Sequence, residues 1–270
     1  VQVPLGVEAT LAGDSRRKRT GLARIAMVAI LASAAMLALS PDAARAAHTE
    51  LVSLSSAGVQ GNYHSWCPSI SADGRLVAFE SYASNLVAGD TNSTADVFVR
   101  DRLTATIERV SVSSAGAEGN GYSGWPALSA DGRFVAFVSF ANNLVPGDTN
   151  GFPDVFVYDR LNGTTERVSV SSANEQGQGE SFSPAISADG RFVAFHSAAS
   201  NLVPGDTNEV VDVFVRDTVA NITERVSVAI TGEQGNSHSF CPSITADGRF
   251  VAFQSWASNL VPGDTNRASD

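Results

Sequence analysis

Ser71-Ala72-Asp73-Gly74-Arg75-Leu76-Val77-Ala78-Phe79 returns almost word for word at Ser129, at Ser187 and, with Thr for Ser, at Thr245. The Asp-Gly pair therefore falls at 73, 131, 189 and 247, a step of 58 residues. A fixed period of this size marks supersecondary units stacked into a solenoid, propeller or array.

One period, Glu108 to Thr165, shows what is being repeated. Glu108-Arg109-Val110-Ser111-Val112 alternates polar and apolar residues at period two, the pattern of a half-buried strand. After the Gly-rich stretch 115–121, Trp125-Pro126-Ala127-Leu128-Ser129 leads into Asp131-Gly132 and returns through Phe134-Val135-Ala136-Phe137. Asp-Gly between apolar runs predicts a hairpin, because Gly tolerates positive φ. The stretch 143–150, rich in Pro, Gly, Asp and Asn, reads as a structured loop. Asp154 to Asp159 reads as a third strand, and Leu161-Asn162-Gly163-Thr164 as a second hairpin turn leading back to Glu166-Arg167-Val168-Ser169-Val170. Four short antiparallel strands per unit, without helical periodicity, predict an all-β fold, a β-propeller of four-stranded blades. Sandwich strands do not recur at one interval four times.

The residues Pro68, Ser71, Asp73, Gly74, Ala78 and Phe79, followed by Asp96 to Asp101, resemble the TolB-type propeller repeat, a periplasmic relative of the WD40 repeat. The match returns at Pro126 to Phe137 with Asp154 to Asp159, and at Pro184 to Phe195 with Asp212 to Asp217, so it covers residues 50–270. Two features depart from it: Ala stands where Pro usually precedes the repeat Asp, and the Gly-Asp-Thr-Asn loop lengthens the unit. The resemblance implies a fold and leaves the activity open, since one fold hosts many functions.

Register predicts the divisions of the chain. Arg16-Arg17-Lys18-Arg19, the apolar run from Ile25 to Leu39 and Ala44-Arg45-Ala46 have the order of a secretory signal peptide, with cleavage expected after Ala46. Fifteen apolar residues fall short of the roughly 20 that span a bilayer as a helix. Residues 47–270 then form the propeller, with units at about 50–107, 108–165, 166–223 and 224–270. Glu50-Leu51-Val52-Ser53-Leu54 aligns with the Glu-Arg-Val-Ser-Val strands, and Arg267 to Asp270 with Ser93 to Asp96. The expectation is one lone N-terminal strand, three whole blades and a partial fourth, a fragment of a longer chain that strand 50–54 closes by completing the last blade. Open strand edges would favour association.

Beyond residue 46 the chain holds 12 basic residues, all arginine, against 25 acidic ones, a net charge of −13. Such a body disfavours nucleic acid and anionic lipid, which require a basic footprint, and favours cations or basic partners. Cys67 and Cys241 occupy the same repeat position in the first and last units. Equivalent atoms in non-adjacent repeats rarely bring Cα atoms within about 7 Å, so two buried free thiols are expected.

Antiparallel order sends the long loops 82–95 and 113–122, with their repeats, to one face and the short hairpins to the other. Residues that vary between units cluster on the long-loop face. His64, Tyr122, Glu180 and His238 share one position, and Tyr82, Phe140, Ala198 and Trp256 a second. Trp66, Gly124, Phe182 and Phe240 form a third set, and Glu80, Val138, His196 and Gln254 a fourth. Variation on a repeating frame suits a partner-reading surface, although aromatic residues at these positions also suit packing between blades. From these sets His64, Trp66, Tyr82, Tyr122, Phe140, His196, His238, Phe240 and Trp256 are the candidate partner-binding residues.

Asp90, Asn92 and Asp96 return as Asp148, Asn150 and Asp154 and as Asp206, Asn208 and Asp212. Oxygen ligands at first, third and seventh positions resemble the opening of a calcium loop, which makes calcium the one candidate cofactor. The pattern then breaks, because Thr94, Phe152 or Val210 stands fifth and Asp101 lies ~16 Å from Asp96 at ~3.3 Å per strand residue. Asp and Asn that cap turns account for the same residues. Four histidines, His48, His64, His196 and His238, give no metal spacing, and no nucleophile elbow or phosphate-binding glycine loop is present in the sequence. Asymmetric candidates for acid–base work are His64, His196, Glu80 and Glu180. The expected function is a non-catalytic exported scaffold, periplasmic or secreted, that binds an envelope or extracellular protein through its long-loop face. The alternative is the propeller part of an enzyme, either a glycan hydrolase or lyase or the accessory propeller of a serine peptidase.

Overall fold

The computed structural model describes residues 49–266 and 268–270. The expected signal peptide, 1–46, and His48 lie outside them. Fourteen strands and no helix occur among the described residues. The first sheet is built from β1 (Ser65–Ile70), β2 (Leu76–Ser81), β3 (Asp96–Asp101) and β4 (Thr106–Arg109) in that order, all antiparallel. The second holds β5 (Ser123–Leu128), β6 (Phe134–Ser139), β7 (Asp154–Asp159) and β8 (Thr164–Arg167). The third holds β9 (Ser181–Ile186), β10 (Phe192–Ser197), β11 (Asp212–Asp217) and β12 (Ile222–Arg225). A two-stranded sheet, β13 (Ser239–Ile244) and β14 (Val251–Ser255), completes the series. This is an incomplete β-propeller of three full blades and part of a fourth.

Two details differ from the sequence reading. The Glu108-Arg109 pair closes the preceding sheet, where Arg109 pairs with Phe98, and the chain leaves the ladder after one more bond, from the Val110 amide to the Val97 carbonyl. Residues 50–54 form no strand, and their one ladder contact is an isolated bridge between Leu54 and Gln60. The partner of β4 is the third strand of its own blade, and no such strand lies beside 50–54 among the described residues. Val52 instead packs with Phe79, Leu86 and Phe98 against the first blade.

Each Asp-Gly hairpin is held by its own side chains. Ser71 donates its hydroxyl to Asp73 at 2.6 Å, Asp73 accepts the Arg75 amide at 2.9 Å, and Ser71 Oγ accepts the Leu76 amide at 2.9 Å. The same three bonds recur from Ser129, Ser187 and Thr245. Gly74, Gly132, Gly190 and Gly248 take φ values of 67 to 77° in the left-handed region. The hairpins also join the blades: the amides of Ala72, Ala130 and Ala188 donate to the carbonyls of Ala130, Ala188 and Ala246 at 2.9 to 3.0 Å.

Strands β2 and β3 are buried on both faces, which explains why Leu76-Val77-Ala78-Phe79 is continuously apolar instead of alternating. Leu76, Ala78, Val97 and Val99 pack against Val135, Phe137 and Phe156 of the second blade. Ala136, Val138, Val155 and Val157 repeat this against Val193, Phe195 and Phe214 of the third. One side of every blade is thus the other half of its neighbour's core.

Gly190 shows how tight this packing is. A Cβ added there would stand 2.1 Å from the Phe134 ring, whereas one added at Gly147, of nearly the same φ, meets nothing within 4 Å. Gly190→Ala is expected to lose about 2–4 kcal/mol in urea unfolding, from left-handed strain plus overpacking, and Gly147→Ala only about 1–2 kcal/mol. A second prediction concerns acid stability. The Arg133 guanidinium hydrogen-bonds Asp159 and holds its carboxyl at about 2, and Arg75 and Arg191 act likewise on Asp101 and Asp217. A depressed carboxyl stabilises the fold above the ordinary Asp value near 4, and that contribution disappears as pH falls through about 2. Melting temperature followed from pH 5 to pH 2 should therefore fall less steeply in Asp159→Asn than in the wild type.

Candidate functional site

The first strands of the four sheets line a common cavity of about 260 Å³, bordered by Cys67, Trp125, Ser183 and Cys241, each followed by a proline. Those four residues occupy one repeat position and share a left-handed φ of 49 to 51°. At each of them the ladder to the second strand slips by a residue, as between Trp66 and Ser69, so the bulge turns this position toward the cavity. Both cysteines are free and exposed, which corrects the expectation of buried thiols. The bulge, which leaves no trace in the apolar pattern, is the reason.

Next to the bulge the variable positions come together. The amide of Tyr82 donates to the His64 carbonyl, and the pairs Phe140 to Tyr122, Ala198 to Glu180 and Trp256 to His238 repeat that bond at 2.8 to 3.1 Å. Loop meets loop on this same side, where the Asn62 and Asn120 amides donate to the side chains of Asn85 and Asn143 at 2.9 Å. Two of the four variable sets therefore stand side by side on the long-loop face.

Their rings form an unbroken ribbon across all four blades. Tyr63, His64 and Trp66 meet Tyr82, whose ring lies 6.3 Å from Tyr122 of the second blade. Tyr122 contacts Trp125 and Phe140, and both of these reach Phe182 of the third blade, at 5.7 and 6.1 Å. Phe182 leads to His196, then to Phe240 and His238 of the fourth. Tyr63, Trp66, Trp125 and Phe140 are 63%, 45%, 40% and 51% exposed, so the ribbon presents ring surface to solvent. Of the nine candidate binding residues eight belong to it. Trp256 is exposed but joins no ring contact among the described residues.

Trp125, Phe182 and Tyr63 complete the ribbon without having been among the nine. Trp125 sits at the bulge position, where its counterparts are Cys and Ser, and reads in sequence as a strand residue before Pro126. Phe182 was visible as a member of a variable set.

Polar groups under the ribbon are few. Glu80 is buried, and its Oε2 accepts the Tyr122 hydroxyl at 3.0 Å and the Trp125 amide at 2.9 Å. Burial and the nearby Glu80 charge push the Tyr122 hydroxyl well above its ordinary value. In the third blade His196 holds the position of Glu80, and its Nδ1 faces the Cys241 amide at 3.4 Å. Burial lowers His196 to about 4, so it is neutral at physiological pH. Among the described residues no hydrogen bond joins any two of His64, Glu80, Glu180 and His196, so these candidates assemble no acid–base pair.

The calcium-like residues also converge, but around an arginine. Carboxylate oxygens of Asp90, Asp96 and Glu118 lie within 4.8 Å of one another. Arg109 reaches Asp90 at 3.9 Å and Asp96 at 3.3 Å and is tied closely to Glu118. Asn92 turns its amide nitrogen to Asp96 at 3.0 Å, as a donor, while its oxygen accepts the Thr94 amide. Arg167 meets Asp148 and Asp154, and Arg225 meets Asp206 and Asp212, in the next repeats, with Asn150 and Asn208 donating to the second acid of each pair. Burial pushes Asp96 up to about 6 against the Ser111 hydroxyl and Arg109, which favour its charged form. This donor set fits a divalent ion only if the guanidinium leaves, since the compensating positive charge is already present.

Arg109→Met leaves this cluster without its counter-charge. A loss of about 3–5 kcal/mol is expected in urea unfolding at pH 7, with partial recovery at pH 5 as the acids protonate. The wild type should melt at the same temperature in excess calcium and in chelator.

No family model matches the chain, and no curated protein does. Among solved structures it is similar to TolB from Acinetobacter baumannii, at 18% identity and a TM-score of 0.43 over 71% of this chain and 38% of that one. A TolB structure from Agrobacterium tumefaciens is 18% identical, with a TM-score of 0.42 over 73% of this chain and 59% of that one. The β-propeller domain of the Trilobed protease from Pyrococcus furiosus is 12% identical, with a TM-score of 0.37 over 60% of this chain and 42% of that one. The chain thus spans less than two thirds of each of these chains, and the likeness is one of fold.

Proposed function

We propose that the protein is an exported, non-catalytic β-propeller scaffold, periplasmic or secreted, that binds an envelope or extracellular protein through its long-loop face. The observation that carries this reading is the ribbon: eleven rings in continuous contact, drawn from every blade and partly open to solvent. Isolated exposed aromatics are ordinary on a protein surface, but a contiguous stretch marks an interaction site. Tyr and Trp supply binding energy at interfaces because they bury large area with few rotatable bonds. The residues that vary between repeats lie here, while the Ala-Asp-Gly-Arg of the hairpins recurs in all four. Scaffold and reading surface are separated by face.

The test is affinity capture from an envelope fraction with the wild-type chain and with a Trp66→Ala/Phe140→Ser double variant. Both side chains are exposed, so the variant should fold. The wild type is expected to retain one defined envelope protein, and the variant to weaken that capture about tenfold or more. A wild type that recovers no defined protein, or a variant that captures equally well, overturns the proposal.

A further inference from the structure

One end of the ribbon covers a buried carboxyl group, Glu80, that has no ion-pair partner among the described residues. Glu80 is 6% exposed, and its Oε2 takes hydrogen bonds from the Tyr122 hydroxyl and the Trp125 amide, two neutral donors. The arginines of this blade are occupied elsewhere: Arg75 on Asp101, Arg100 on the Leu54 and Ser55 carbonyls, Arg102 on the Gly74 carbonyl, Arg109 on the Asp90 cluster. The chain has no lysine after residue 46. A buried carboxylate without a cation is costly to keep charged, and a cation brought beside it offsets that cost.

The arrangement is specific to this blade junction. Gly124 stands where the other repeats carry Trp66, Phe182 and Phe240, and a Cβ there would fall 2.2 Å from Glu80 Oε2 and 2.3 Å from the Tyr122 hydroxyl. The missing side chain is what lets Glu80 and Tyr122 meet. At the next junctions Val138 and the neutral His196 replace Glu80, so the charge occurs once in three complete junctions. Above it stand the exposed rings of Trp66, Tyr82 and Trp125.

We propose that this end of the ribbon seats a guanidinium, an arginine side chain of the bound polypeptide, stacked on Trp66, Tyr82 and Trp125 over the buried Glu80 carboxylate. The inference rests on reading the ribbon as a protein-binding surface and names the chemistry of one contact. Aromatic faces attract cations, more strongly when the cation is desolvated, and the planar guanidinium stacks on rings where a compact ammonium does not. A sugar would stack on the same rings, but it brings no charge to set against the Glu80 carboxylate. What Glu80 still offers is field, which a cation uses and a neutral ring does not. The net charge of −13 beyond residue 46 draws basic segments to the same body.

The experiment titrates the full chain with a capped Gly-Arg-Gly peptide, with its citrulline counterpart of the same shape and no charge, and with a neutral glucan tetrasaccharide, following tryptophan fluorescence. Saturable binding of the arginine peptide is expected, about tenfold tighter than that of the citrulline peptide and weakened by salt. Glu80→Gln should lower arginine-peptide affinity about tenfold and leave the citrulline peptide unchanged. Gln254 holds the equivalent place in the fourth repeat, and a Gln side chain still accepts from Tyr122 and Trp125, so this variant retains the local bonds. Should it nevertheless fail to fold, Tyr82→Leu on the exposed side gives the second readout, a severalfold loss of the arginine peptide. Equal binding of both peptides, equal binding by wild type and variant, binding of the glucan alone, or no saturable binding overturns the proposal. If Glu80→Gln captures the envelope protein normally while the Trp66→Ala/Phe140→Ser variant does not, the guanidinium seat fails and the ribbon reading stands.

Discussion

The amide of Ala72 donates to the carbonyl of Ala130, that of Ala130 to Ala188, and that of Ala188 to Ala246, so each hairpin is bonded to the next before any side chain packs. Beneath these bonds Gly132, Gly190 and Gly248 lie against Leu76, Phe134 and Phe192 of the preceding blades, with no room for a Cβ. The step from blade to blade follows from this joint. Its geometry demands a left-handed residue at the turn, a small one for contact, and a Ser or Thr whose hydroxyl locks the loop. Those three demands are the Ser-Ala-Asp-Gly word.

With the hairpin side clamped in this way, the other side is free to differ. The long loops there are held by main-chain bonds, such as Tyr82 to His64 and Phe140 to Tyr122, that are indifferent to side-chain identity. Tyr, Phe, Ala and Trp can therefore alternate at one position without disturbing the frame. Arg109, Arg167 and Arg225 play the same stabilising part at the loop bases, where each is held among buried acids. The acidic loops resemble cation sites because they are cation sites whose cation is a side chain.

Asymmetry enters through small residues as much as large ones. Gly124 gives up an aromatic ring, and into the space come Tyr122 from its own blade and Glu80 from the preceding one. A reading confined to equivalent positions registers a Gly among three aromatics as a gap. In three dimensions it is the feature that places a carboxylate under the ribbon.

The sequence by itself determined the blade, because hairpin chemistry and double-sided apolar strands are local: the Asp-Gly turns, the strand at Asp154–Asp159 and the face on which variable residues gather could all be read from spacing. It also identified eight residues of the ribbon, since side chains on one face of a repeat recur at one position. Tertiary structure alone decided the rest, and the reason is the same each time. The exposed cysteines and Trp125 depend on a bulge whose left-handed residue is Cys, Trp or Ser, types that do not announce such a backbone. The arginine among the acids lies 9 to 19 residues from its partners in the chain, and Glu80 and Tyr122 lie 42 apart, on different blades. A periodic sequence states what each unit is, but contacts between non-equivalent positions of neighbouring units appear only when the units are stacked.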